Sequence, residues 1–96
     1  MLKHKYIIAG KKRLEAILFG LSGKNLIVIR GSRGYIMCGY LNLKTAEKFK
    51  DVAIKVTGVS DINSVLKTNV VSCTGAARKL GIYKGQNIKD VLRIIA

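Results

Sequence analysis

Cys38 is the side chain with the most reactive chemistry in the chain, and it stands inside the uncharged run Gly-Tyr-Ile-Met-Cys-Gly-Tyr-Leu-Asn at positions 34–42. A thiol serves as a nucleophile when a base lies within hydrogen-bond reach and the thiolate is favoured. The one histidine, His4, could be that base only if antiparallel pairing carried it next to the run. Packed on an apolar strand, a cysteine is otherwise inert. The spacing of Cys38 and Cys73 matches no zinc or CxxC motif; a disulfide between them would need α-carbons within about 7 Å, and both thiols are expected to be reduced. His4 alone cannot supply the three or four convergent ligands of a metal centre, so neither metal nor cofactor is expected. The five acids, Glu15, Glu47, Asp51, Asp61 and Asp90, are scattered and form no acid and base pair.

Anion binding is a second chemistry. Asn42 and Thr74 are placed as helix N-caps, where free backbone N–H groups and the helix dipole favour negative charge. Arg78 follows one turn into the second helix. These three are candidate ligands of an anionic small molecule, although capping alone accounts for the first two and a solvated charge for the third. A third chemistry lies in Lys3, Lys5, Lys11, Lys12 and Arg13, gathered on the first hairpin with Tyr6 as a stacking group. Such a cluster could neutralise phosphates of a nucleic acid, but no RRM aromatic pair or GXXG clamp accompanies it, and an ordinary basic surface is the favoured explanation. The stretch from Gly20 to Asn25 lacks P-loop spacing and precedes a strand.

Strands must position most of these groups. Alternation predicts strands at 2–8, 12–21 and 26–30, then the central strand at 34–42. There Tyr35, Met37, Gly39 and Leu41 face one way and Ile36, Cys38 and Tyr40 the other. Neither face is polar, so helices should cover one side and more sheet or a partner subunit the other. Gly31 and Gly34 are expected to supply positive φ in the turn before it. The period then changes: a helix from Leu43 to Lys50 with Phe49 or the stem of Lys50 on its apolar face, a fifth strand at 52–57, and a short helix with Ile62, Val65 and Leu66 inward. A sixth strand is expected at 69–73, a helix at 75–80, and a last helix whose Ile88, Val91, Leu92 and Ile95 recur at i, i+3, i+4 and i+7. The crossover from the fourth strand to the fifth is just long enough for a parallel placement.

Ninety-six residues make one domain, in which folding alone buries roughly 60 to 65% of the unfolded surface. Positions 1–41 are β-rich and expected to mediate association; 42–96 mix helix and strand. The charge is +13, which favours polyanionic or anionic partners. Eleven basic and two acidic residues lie in 1–50, seven and three in 51–96, so the β-rich half carries most of the field. No uninterrupted apolar run marks an export signal or a membrane span, and a cytoplasmic location without membrane contact is expected.

The run at 34–42, with Ala53 to Val59, Ile62 to Leu66, Ala77 to Ile82 and Gly85, resembles the YunC-like family of small bacterial and archaeal domains. The resemblance implies an α+β domain whose N-terminal β region mediates tetramerisation, with no established activity and no catalytic residue to transfer.

The sequence therefore reads as an α+β domain with an N-terminal antiparallel β-meander, a strand-helix-strand unit and C-terminal helices. Association into a homodimer or homotetramer is expected, since Ile17, Phe19, Ile27, Ile29 and one face of the central strand exceed what the short helices can cover. Three roles are open: a module that binds or responds to a small ligand, a nucleic-acid accessory protein, or an enzyme using Cys38.

Overall fold

In the computed structural model, which describes residues 2–39 and 41–96, six strands form one mixed sheet in sequential order. β1 (Leu2–Ala9), β2 (Lys12–Leu21), β3 (Lys24–Arg30) and β4 (Tyr35–Met37) are antiparallel neighbours. α1 (Leu43–Lys48) carries the chain to β5 (Ala53–Lys55), parallel to β4. α2 (Ile62–Leu66) precedes β6 (Ser72–Cys73), which closes the sheet antiparallel to β5. α3 (Gly75–Lys79) and α4 (Ile88–Ile95) complete the α+β fold.

Register sorts the side chains between two faces. Leu14, Ala16 and Leu18 of β2 sit opposite Ile7, Lys5 and Lys3 of β1, and Ala16 and Leu18 also oppose Ile29 and Ile27 of β3. On this inner face the strands pack under α2 and α4, with Ile54, Ile62, Val65, Ile88, Val91 and Ile95 in the same core. All four apolar positions of α4 are buried, as their spacing predicts. Each such side chain contributes about 1.5–3 kcal/mol through burial.

The outer face is covered only in part. Ala46 of α1 packs on Met37 and Ala53, joined by Tyr35, Leu41 and Leu43. Over β1 to β3 none of the described elements covers it, and Leu2, Tyr6, Ile8, Ile17, Phe19 and Leu21 are exposed there.

Several expectations are corrected. The central strand is three residues long, not nine: Cys38 N–H still donates to Ile27 O at 3.2 Å, but Leu41 N–H bonds back to Cys38 O at 3.3 Å and turns the chain. The face that carries Tyr35 and Met37 is covered by α1. Tyr40 lies outside the described residues. Gly31 and Gly34 do not have positive φ. They are needed for close approach: a Cβ on Gly34 would meet Val52 Cγ1 at 2.6 Å, and one on Gly31 would meet the Ile95 carbonyl carbon at 2.7 Å.

Phe49 is the C-cap of α1 and 73% exposed, because Lys50 at φ 58° reverses the chain before another turn can form. Of the expected sixth strand only Ser72–Cys73 pairs with the sheet; Asn69 bridges to Asn87 instead. Ile27 and Ile29 are fully enclosed in the core and are no surplus. The half-covered apolar residues of β3 are Leu26 and Val28, opposite Phe19 and Ile17.

Candidate functional site

Cys38 directly follows β4 and is held from β3. Ile27 N–H donates to its sulfur at 3.4 Å, and the thiol points to Asn25 O at 3.9 Å. It is 4% exposed and forms part of the wall of a cleft of about 550 Å³. The tight turn between β2 and β3, which Gly23 makes possible at φ 78°, brings Lys24 and Asn25 to one wall. Thr57 to Ser60, leaving β5 through Gly58 at φ 69°, form the other. Asn25 Nδ2 donates to Ser60 O at 2.7 Å and ties the walls together. Between them Gly39 leaves space that a side chain would fill: a Cβ there meets only Thr57 Cγ2 at 3.8 Å.

His4 is not near this cleft. It lies on the outer face, with Nε2 2.7 Å from Glu15 Oε2 and its ring edge-on to Tyr6 at 5.0 Å. Glu15 also accepts from Arg30 Nε at 3.0 Å. The His4 hydrogen bond first, then that of Arg30, holds the Glu15 carboxyl below its ordinary range. Cys38 therefore has a cleft but no histidine to activate it, and neither cysteine is paired in a disulfide.

The expected anion ligands are separated and engaged. Asn42 Oδ1 accepts from Lys44 N–H at 2.8 Å and caps α1. Thr74, fully buried, donates from Oγ1 to Asp51 O at 2.6 Å and accepts from Ala53 N–H and Ala77 N–H, each at 3.2 Å. The Gly75 N–H next to it is met by both carboxylate oxygens of Glu47, at 3.1 and 3.0 Å. Arg78 Nη1 donates to Cys73 O at 2.9 Å. Glu47 thus provides the negative charge that an incoming anion would have brought. In the sequence it appeared only as a scattered acid, because its partner lies across a crossover.

The basic cluster divides between faces. Lys3, Lys5 and Lys12 point to the side of Ile7 and Leu14, whereas Arg13 lies on the outer face with its guanidinium 4.1 Å from the Tyr6 ring centre. Lys11 is in the connecting turn. The cleft beside Cys38 was not anticipated: its walls come from three separated segments whose glycines looked like ordinary turns.

Residues 37–95 match the model of a family described as a domain of unknown function (DUF1805). This stretch includes Cys38, Gly39 and the 57–60 wall of the cleft, and excludes the first hairpin. The chain is 35% identical over 81 residues, 80% of each chain, to the uncharacterized protein YunC of Bacillus subtilis (strain 168). Its fold matches that of the crystal structure of a protein of unknown function, TA1206 from Thermoplasma acidophilum, with a TM-score of 0.96 and 34% identity over 100% of this chain and 94% of that one.

Proposed function

The chain belongs to the DUF1805 family, and within it we propose a homo-oligomeric module that binds a small anionic molecule in the cleft beside Cys38. One observation carries the reading: about 550 Å³ of open space between two tied walls, a size in the usual range for small-molecule sites. The floor includes the half-buried Val59 and the buried sulfur of Cys38. Lys24 adds a positive charge at the mouth, suited to a carboxylate or a phosphate ester. Cys38 acts here as a lining group: its sulfur contacts backbone groups of Asn25 and Ile27, and among the described residues no histidine or carboxylate lines the cleft.

A thermal-shift screen of small carboxylates and phosphate esters tests this, with Gly39→Leu as the blocked form. Gly39 has ordinary φ and room for a Cβ, so that variant should keep its fold while filling the cleft. A ligand that raises the melting temperature of the parent and not of Gly39→Leu supports the reading. Equal shifts in both, or none with any compound, oppose it.

Association is supported by a separate observation, the apolar outer face of β1 to β3. Phe19 is 48% exposed, next to Leu2 and Leu26 in register. Burying this patch against its symmetry mate gives an isologous contact. In sedimentation velocity the parent should exceed 10.5 kDa at micromolar concentration and Phe19→Glu should run as a monomer. A monomeric parent contradicts the proposal.

A further inference from the structure

β1 is an edge strand of eight residues. One side pairs with β2, and among the described residues nothing pairs with the other. Such an edge presents a row of backbone N–H and C=O groups ready to accept another strand. Two hollows lie against it on the inner face, of about 560 Å³ beside Leu2 to Lys5 and about 280 Å³ beside Ile7 to Gly10. The two hollows succeed each other along β1, between the strand and the helices, as an interrupted furrow.

Charge decides what the furrow suits. Lys3 and Lys5 rim it from β1, and Lys89 and Arg93 rim it from α4. The one acid in its lining is Asp61, whose Oδ1 already accepts from Ser64 N–H at 2.7 Å and Ser64 Oγ at 2.8 Å. On the outer face the same strand exposes Leu2, Tyr6 and Ile8. β1 thus carries Lys3 and Lys5, followed by Ile7 and Ala9, on one face and mainly apolar residues on the other. An added strand pairs best when acids stand beside the lysines and apolar residues beside Leu2 and Ile8.

We propose that the β1 edge is a docking site for an extended segment of another protein in which acidic and apolar residues alternate. A second copy of this chain does not fit the furrow, because its own β1 would set Lys3 and Lys5 against like charges and its five acids are scattered. Single-stranded nucleic acid fits less well, because the rings of Tyr6 and His4 on β1 are engaged by Arg13 and Glu15 on the outer face, which leaves no free stacking platform among the described residues of the furrow. The outer face proposed for self-association adjoins this edge and shares Leu2 with it, whereas Lys3 and Lys5 lie on the opposite face.

The probe is a fluorescein-labelled eight-residue peptide alternating glutamate and valine, titrated with the full chain at low salt and followed by anisotropy. Saturable binding is expected, weakened at least tenfold in Lys3→Glu/Lys5→Glu and in Lys89→Glu/Arg93→Glu. It should be lost when alternate backbone nitrogens of the peptide are methylated in the register that faces the edge; both methylated registers are tested. Circular dichroism checks that the variants fold, and the α4 pair carries the test if the β1 pair does not. The proposal is overturned by absent binding, by unchanged affinity in a folded variant, or by undiminished binding of both methylated peptides. Tighter binding of a labelled oligothymidylate, weakened by the same substitutions, also overturns it.

Discussion

Replacing Gly31 with alanine should be among the most damaging single-methyl changes in the protein. The added Cβ would stand 2.7 Å from the carbonyl carbon of Ile95 and 2.8 Å from Ala96 Cα. These are backbone atoms and cannot rotate away, so the β3–β4 turn and the end of α4 must separate. Forcing a methyl into a packed contact costs about 1–3 kcal/mol. The separation also strains two hydrogen bonds, Arg33 N–H to Ile95 O at 2.9 Å and Ser32 Oγ to Ala96 O at 3.1 Å, each contributing about 1 kcal/mol. Ile95 is fully buried, so moving it loosens core packing as well. A total near 3 kcal/mol lowers the melting temperature of a domain this size by roughly 12–24 °C. Urea unfolding of Gly31→Ala beside Gly39→Ala measures it, since a methyl at position 39 meets only ordinary contact and should change stability by less than about 0.5 kcal/mol. If Gly31→Ala lies within about 1 kcal/mol of the parent, the close approach is not what fixes glycine there.

Thr74→Val should cost about 2–4 kcal/mol in urea unfolding, since it removes a cap and strands buried backbone groups of Asp51, Ala53 and Ala77; an effect below about 1 kcal/mol would show that these groups find other partners. Tyr35, whose hydroxyl donates to Asp51 Oδ2 at 2.8 Å, is pushed up to about 12 by desolvation first and then by that hydrogen bond. Its folded pKa exceeds the unfolded one, so its contribution is complete below about 10 and is lost as pH rises through about 12. Tyr35→Phe should flatten the fall in stability over that alkaline window, and an unchanged slope would refute the assignment. Glu15 has the opposite sign: its lowered folded pKa contributes above the unfolded value and is lost as pH falls through the folded one. Glu15→Gln should therefore remove part of the acid sensitivity seen in pH-dependent unfolding; an identical acid limb would count against the His4 and Arg30 contacts.

The sequence was most legible where a local pattern had only one solution. The α4 spacing, the strands read at 2–8 and 12–21, and the caps Asn42 and Thr74 depend on neighbours within a few residues, and each could be read from the sequence. The central strand was overestimated because absence of charge over 34–42 resembles strand continuity. The bend after Cys38 is set by a carbonyl it offers to Leu41, not by any residue type. Gly31 and Gly34 were misassigned for a related reason: a glycine needed for φ and one needed for space look identical until the opposing backbone of Ile95 or Val52 is known. Ile27 and Ile29 could not be told from Leu26 and Val28 as core residues, since a continuous apolar strand carries no mark of which face the helices will choose. The Cys38 cleft was invisible because no segment of it has a motif. Among the described residues its walls are joined by the Asn25 to Ser60 hydrogen bond.

Native mass spectrometry of the parent and of Gly39→Leu, each incubated with a small-molecule extract of cells, tests the central proposal most directly. The parent should form an oligomer carrying one discrete small-molecule mass per chain, and Gly39→Leu an equally assembled oligomer carrying none. A parent that acquires no added mass, or the same added mass on both proteins, would contradict a ligand site in the cleft beside Cys38.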